Sequence, residues 1–197
     1  MSTVSVSFES PGVEWKLPSR GPVGMYSLIA AEAAIFSIFI VAYLFYQGKS
    51  LSGPTQTVLH TPWLLSVCLL SSSFTIHRAQ KALAAGTVNE FTRWLLLTIG
   101  LGGIFLAGTA LEWHHLIYDV GLTIRTNLFG TTYYSLVGLH AFHVTFGLLL
   151  MCLTACFALL RYVTPAHAGR IEVLAIYWHF VDIVWVVVFT VVYLIGR

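Results

Sequence analysis

The sequence predicts an all-α integral membrane protein, built as a bundle of five transmembrane helices. Of its 197 residues, 57% are hydrophobic and 9% are charged, whereas about a quarter of the residues in a soluble domain are charged. Five apolar runs are long enough to cross a bilayer as helices. No run alternates apolar and polar residues as a half-buried strand would. Residues 24–197 are therefore expected to form one membrane domain.

The five predicted spans follow one another through short polar linkers. The fourth run is longer than a ~30 Å hydrocarbon core requires, so its helix must tilt or project beyond the membrane. Residues 1–23 are expected to form a surface tail, because they mix charged residues with prolines and lack the order of a signal peptide. The predicted span bounds are 24–46, 62–79, 94–113, 128–160 and 173–195.

The distribution of lysine and arginine predicts the orientation of the bundle. Cytoplasmic segments of membrane proteins carry an excess of these residues. With the N-terminus inside, the outer segments hold only Lys49, Arg125 and Arg197, and the remaining lysines and arginines all fall inside. The sequence therefore predicts an N-terminus inside and a C-terminus outside.

The fifth run contains the segment Y-W-H-F-V-D-I-V-W, in which His179 and Asp182 share one helix face. A charged group in hydrocarbon costs at least ~2.5–3.5 kcal/mol, so both side chains must face protein or a wet cavity. At ~1.5 Å per residue, Glu32, His140 and His143 fall at a similar depth near the inner face. We call these five residues the inner polar layer, in which Glu32 is expected to be either neutral and hydrogen-bonded or ionised beside His140 or His179.

Three interpretations of the inner polar layer stay open at this point. It is a buried polar network that fixes helix packing, or it is a site for a lipid headgroup, a proton or a polar group of a neighbouring subunit. The third interpretation is a haem or metal site, with His143 and His179 as candidate ligands. The soft ligands of an electron-transfer copper site are absent from the layer.

A second cluster lies at the outer end of the third span and consists of Glu112, His114, His115 and Asp119. Adjacent histidines at a span end favour a solvated interface, with metal binding as the alternative. The sequence has no glycine-rich phosphate loop, no nucleophile-and-base arrangement and no basic cluster for nucleic acid. Its three cysteines lie inside apolar runs and show no disulfide or metal-binding spacing.

Three stretches resemble one family. Residues 129–147 read F-G-T-T-Y-Y-S-L-V-G-L-H-A-F-H-V-T-F-G, residues 177–185 read Y-W-H-F-V-D-I-V-W, and the first span contains A-A-E-A-A-I-F-S-I-F. Together they resemble subunit III of the haem–copper respiratory oxidases, in the short bacterial form that lacks the first two of seven spans. The resemblance covers about residues 25–197.

The resemblance implies a chain in the bacterial inner membrane with no haem, copper or catalytic centre of its own. Those cofactors are expected in partner subunits, with subunit I as the main contact and subunit II alongside it. Bound phospholipid is expected in a V-shaped cleft between two groups of helices. The subunit is further expected to support proton uptake into subunit I and to protect the oxidase during turnover.

The resemblance also implies roles for particular residues. Glu32 matches the intramembrane carboxylate of the family, and Glu112 matches an acidic residue after the corresponding span. Arg161 is the expected phosphate partner for lipid. The histidines and the aspartate of the family's two C-terminal helices match His140, His143, His179 and Asp182.

Two classes of function follow from these observations. The first is a non-catalytic subunit III of a proton-pumping cytochrome c oxidase, which reduces O2 to water. A subunit III-like chain of a quinol oxidase or nitric oxide reductase is its closest alternative. The second class is a free-standing membrane haem or metal protein that uses the histidines of the inner polar layer.

Overall fold

The chain folds into five long helices in a computed structural model that describes residues 20–50 and 53–195. The last helix continues as a π-helix, Thr190–Ile195, and the loops contain two 3-10 turns, Gln56–Val58 and Pro165–His167. The described ranges contain no strand, so the all-α prediction is confirmed. The helices are α1 (Arg20–Tyr46), α2 (Trp63–Ala84), α3 (Val88–Tyr118), α4 (Leu128–Leu159) and α5 (Ala168–Phe189).

The helices extend beyond the predicted spans at several ends. α2 ends at Ala84 and α3 begins at Val88, so only residues 85–87 join them where a linker over 80–93 was expected. Gly86 makes this tight turn with a φ of +84°, a conformation that glycine adopts without strain. Hydropathy marks only the apolar part of a helix, so the polar ends were missed. Residues 1–19 of the predicted surface tail lie outside the described residues, and α1 begins at Arg20.

Four helical segments of the described chain are long and apolar enough to cross a membrane. They are Gly21–Tyr46, Val88–Tyr118, Leu128–Leu159 and Pro165–Ile195. α2, the second predicted span, is not among them. Its sequence includes three consecutive serines, residues 71–73, and the polar segment H-R-A-Q-K at residues 77–81. The hydroxyl groups of α2 therefore need partners inside the bundle if this helix lies in hydrocarbon.

Sequential helices run antiparallel, and α5 packs against α1, α2 and α4. The α1–α2 loop, the α3–α4 loop and the last residues of α5 meet at one end of the bundle, which we call the C-terminal end. There the Gln47 side-chain amide donates to the Ile195 carbonyl at 3.2 Å, and Asn127 Nδ2 donates to the Pro54 carbonyl at 2.8 Å. The start of α1, the α2–α3 turn and the α4–α5 connection form the opposite, N-terminal end.

Trp178 of α5 joins four helices through one buried ring. The ring packs against Gly102 of α3 and Gly147 of α4, where an added Cβ would lie 3.1 Å and 2.8 Å from it. Its indole N–H donates to the Ser72 hydroxyl of α2 at 2.8 Å. Because Trp178 is 0% exposed, any change in this slot must be absorbed by neighbouring helices.

We predict that Gly147→Ala destabilises the chain, because the new methyl group overlaps the Trp178 ring. Such overpacking costs about 1–3 kcal/mol. Gly100→Ala is the matched control, since no atom lies within 4 Å of its built Cβ and alanine favours the helix. Thermal unfolding of the purified chain in mild detergent measures both. Equal melting temperatures for the two variants would contradict this packing.

Candidate functional site

Glu32 and His143 form an ionisable pair between α1 and α4. Glu32 Oε2 lies 3.2 Å from His143 Nε2, and the two side chains are 24% and 7% exposed. The other ring nitrogen, His143 Nδ1, lies 2.8 Å from the Leu139 carbonyl of its own helix. Phe36 of α1 packs on the same imidazole ring with centroids 5.0 Å apart. The pair is therefore held in place by both helices.

The hydrogen bonds of His143 determine where protons sit in this pair. A carbonyl oxygen only accepts, so Nδ1 must carry a hydrogen that it donates to Leu139. Nε2 then either accepts from a protonated Glu32 or donates to an ionised one. Both arrangements are net neutral, which suits a site within the apolar part of the bundle. One proton can therefore move between the two side chains without leaving an uncompensated charge.

An apolar cleft opens toward the N-terminal end of the bundle next to this pair. It lies between α1, α4 and the start of α5, and its volume is about 480 Å³. Tyr177 lines its deep end and donates its hydroxyl hydrogen to the His143 carbonyl at 3.2 Å. Arg170 and His167 line the cleft near the α4–α5 connection. The cleft thus combines an apolar interior, a basic group at its mouth and a carboxyl–imidazole pair beside its deep end.

Arg161, the expected phosphate contact, does not line this cleft. It follows the end of α4 with a φ of 62°. Its backbone N–H donates to the Ala158 carbonyl, and the next residue, Tyr162, donates to the Phe157 carbonyl. These two bonds form a Schellman motif, in which the left-handed position is usually glycine. The backbone of Arg161 therefore terminates α4, while Arg170 supplies the basic side chain of the cleft.

His179 and Asp182 are joined through a serine of α2 rather than to each other. The Ser73 hydroxyl donates to Asp182 Oδ2, and His179 Nδ1 lies 3.0 Å from the same hydroxyl oxygen. A hydroxyl has only one hydrogen, so His179 Nδ1 must donate to Ser73. The result is a directed chain of hydrogen bonds from His179 through Ser73 to Asp182, which is 3% exposed.

His140 occupies a separate place in the core. Its ring stacks on Trp185 with centroids 5.0 Å apart and meets the edge of Phe105 at 5.9 Å. Neither ring nitrogen has a hydrogen-bond partner among the described residues. The inner polar layer thus divides into the Glu32–His143 pair, the His179–Ser73–Asp182 chain and His140 packed as an aromatic ring.

The outer cluster also divides into buried and exposed parts. His115 Nδ1 lies 2.7 Å from Asp119 Oδ2 at the exposed end of α3, and His114 packs on Tyr118 with centroids 4.6 Å apart. Glu112 points inward, beside the Tyr193 hydroxyl. Within the described part of the chain, no three His, Cys, Asp or Glu side chains are grouped as metal ligands. The cluster therefore has the character of a solvated helix end with one inward-facing carboxyl group.

Sequence reasoning missed the serines of α2. Ser66 accepts a hydrogen bond from the Trp185 indole at 3.1 Å, as Ser72 does from Trp178, and Ser73 bridges His179 and Asp182. A serine triplet inside an otherwise apolar run was the signal for these contacts. Its meaning depended on the register between α2 and α5, which the sequence does not display.

Comparison with known families supplies the decisive observation. The family model for cytochrome c oxidase subunit III matches residues 22–197. The chain belongs to the cytochrome c oxidase subunit III family. The match begins two residues after the start of α1 and includes every helix, so the Glu32–His143 pair, the cleft and the serine contacts all lie within the family domain.

Individual members of the subunit III family resemble this chain over most of its length. Cytochrome c oxidase subunit 3 of Synechocystis is 39% identical over 187 residues, which cover 90% of this chain and 77% of the relative. The protein of the same name from Alkalihalophilus pseudofirmus is 34% identical, with 88% and 86% covered. The corresponding Bacillus subtilis protein is 33% identical with the same coverage. This family is a component of an enzyme complex, the haem–copper cytochrome c oxidase.

We predict that Ser73→Ala destabilises the bundle more than Ser71→Ala does. The first change leaves His179 and Asp182 without their shared partner, and an unpaired buried polar group costs about 1–3 kcal/mol. Ser71 is exposed and bonds only to the carbonyl of Cys68 on its own helix. Denaturant titration of the purified chain in detergent compares the two. The Ser73 bridge has no structural role if both variants unfold like the unchanged chain.

Proposed function

We propose that this chain is the non-catalytic subunit III of a bacterial proton-pumping cytochrome c oxidase that reduces O2 to water. The family assignment supports the complex, and the cytochrome c oxidase names of the relatives favour cytochrome c over quinol as the electron donor. The observation that carries a specific role is the Glu32–His143 pair beside the cleft. This pair is an ionisable site next to a cleft whose interior is mostly apolar.

The proposal includes five membrane spans with the N-terminus inside, in the bacterial inner membrane. α2 counts as a span because its serines find acceptors and donors within the bundle, such as Trp178 and Trp185 of α5. The excess of lysine and arginine at the N-terminal end of the bundle favours that end as the cytoplasmic one.

The proposal places haem and copper in partner subunits, with subunit I as the main contact and subunit II beside it. Against a free-standing haem protein, both ring nitrogens of His143 are engaged, by Leu139 and by Glu32. His179 Nδ1 is held by Ser73. To bind haem iron, His143 would have to give up its contact with either Glu32 or Leu139. These two contacts are the ones that orient its ring.

The direct test is purification of the tagged chain from its own membranes in mild detergent. We expect haem-bearing subunit I and subunit II to co-purify in equal amounts, because the chain acts only within the complex. The chain separated from them should show no haem absorption. Stoichiometric haem in the separated chain would contradict the proposal and favour the free-standing haem protein.

The cleft is proposed to bind the acyl chains of a phospholipid. Its volume of about 480 Å³ lies in the range of ~300–1,000 Å³ typical of ligand sites. Its walls are apolar side chains of α1 and α4, including Leu28, Phe146 and Leu150. Arg170 at the mouth supplies a guanidinium group, which suits a phosphate. Bound lipid in this position would separate the Glu32–His143 pair from bulk water.

Replacing Arg170 should therefore remove lipid. We predict that Arg170→Gln lowers the phospholipid retained by the purified complex, since the phosphate loses its cationic partner. Arg161→Gly is the control, because glycine suits the left-handed backbone at that position and the Arg161 side chain lies outside the cleft. Mass spectrometry of the lipids retained by the two complexes measures the effect. Loss of phospholipid with Arg161→Gly but not with Arg170→Gln would refute Arg170 as the phosphate contact.

Glu32 is proposed to support proton uptake into subunit I. A proton can move between Glu32 and His143 while the pair stays neutral, and each proton released toward subunit I must be replaced by one taken up. Glu32 is 24% exposed, so its carboxyl group is accessible from the surface of the bundle. Slower proton delivery would prolong reactive intermediates at the oxygen site of subunit I, and this links the pair to protection of the oxidase during turnover.

We predict that Glu32→Ala leaves the complex assembled and initially active. The variant complex should complete fewer turnovers than the wild-type complex before it is inactivated. Glu32→Gln keeps the shape and can donate to His143 Nε2, but it cannot ionise. Progress curves of oxygen consumption distinguish the roles. If the Glu32→Gln complex is inactivated as early as the Glu32→Ala complex, the ionisable group is required. If it lasts as long as the wild-type complex, a hydrogen bond to His143 is sufficient for protection. Wild-type progress curves for both variants would leave Glu32 without a functional role.

A further inference from the structure

A second groove lies between α3 and α4 on the side of the C-terminal end, away from the cleft described above. Its volume is about 600 Å³. α3 contributes Leu106 and Ile117 to its walls, and α4 contributes Gly138, Ala141 and Phe142. The α3–α4 loop closes its upper end with Thr123 and Ile124. We call it the loop-side groove.

The length of the loop-side groove matches one leaflet of a bilayer. On α4 the lining residues run from Tyr134 to Thr145, which corresponds to about 16 Å of helix at 1.5 Å per residue. This is about half of a ~30 Å hydrocarbon core. A partner helix that crossed the membrane would follow α3 and α4 over their whole length, whereas this groove ends near the middle of α4. Its dimensions therefore fit an acyl chain.

The loop that closes this groove carries a cationic residue. Arg125 directly follows the lining residue Ile124, its side chain is exposed, and it forms no ion pair with any described residue. Two hydrogen bonds hold the loop around Arg125 in place. The Thr126 hydroxyl accepts from the backbone N–H of Thr123 at 2.8 Å, and it also contacts the Thr123 hydroxyl at 2.8 Å. Lys49, another cation at this end, instead lies over the Phe45 ring at 3.5 Å.

We propose that the loop-side groove holds one acyl chain of an anionic phospholipid whose phosphate lies on Arg125. The lipid belongs to the leaflet that borders the α3–α4 loop. Small residues at Gly138 and Ala141 leave room for the chain, and the guanidinium group matches a phosphate in geometry and charge. This site is distinct from the cleft beside Glu32, and it stands whether or not the chain supports proton uptake.

Photo-crosslinking tests this site directly. The intact complex is reconstituted into phosphatidylcholine vesicles that contain a minor fraction of phosphatidylglycerol with a diazirine in its acyl chain. After irradiation, we expect labelled peptides from 106–117 and 138–145. Arg125→Gln should lower that labelling about fivefold, since a basic residue near the surface contributes ~1 kcal/mol to anionic lipid binding. Lys49→Gln is the matched control and should leave it unchanged.

Two further measurements separate lipid from protein as the occupant. Ala141→Phe fills the groove and should abolish labelling even with Arg125 intact. Phe142→p-benzoylphenylalanine should crosslink to lipid. Crosslinking of position 142 to another subunit would show a helix in the groove and overturn the proposal. Unlabelled groove peptides would overturn it as well, as would equal labelling by diazirine phosphatidylcholine or no effect of Arg125→Gln.

Discussion

The packing of Trp178 is the interaction on which the rest of the bundle depends. Its ring fits a slot that exists only because Gly102 and Gly147 have no side chains, and its N–H is satisfied by Ser72. Ser72 in turn donates to the Leu69 carbonyl at 2.5 Å, so both of its hydrogen-bonding roles are filled. One aromatic side chain thereby fixes α5 against three other helices and sets the register of the polar residues that follow it.

That register explains how a polar helix such as α2 fits in a membrane bundle. Ser66 repeats the pattern of Ser72: it donates to the Pro62 carbonyl at 2.9 Å and accepts from Trp185. Ser73 directly follows Ser72 along α2, and its hydroxyl bonds to His179 and Asp182 instead. The hydroxyls of Ser66, Ser72 and Ser73 are thus all used inside the protein, as they would have to be in hydrocarbon. The remaining ionisable pair, Glu32 and His143, is left on the other side of α5, beside the cleft.

The sequence predicted the helices well and the partners poorly, for one physical reason. Apolar runs identify helices because the membrane requires them, and His179 and Asp182 were expected to face protein because charge in hydrocarbon is unfavourable. Partners depend on the register between helices, which composition does not contain. His140 and His179 were the partners considered for an ionised Glu32, whereas Glu32 contacts His143. Arg161 was expected as the phosphate partner for lipid, but its backbone ends α4 in a Schellman motif and its side chain does not line the cleft.

A double-mutant cycle at Ser72 and Trp178 tests the central claim, that the α2–α5 hydrogen bond fixes the bundle. The free energy of unfolding of the purified chain in detergent is measured for Ser72→Ala, Trp178→Phe, the double variant and the unchanged chain. The two changes should be coupled by about 1 kcal/mol, because each removes the same hydrogen bond between buried groups. Additive effects of the two substitutions would contradict the account, since Ser72 and Trp178 would then stabilise the bundle independently.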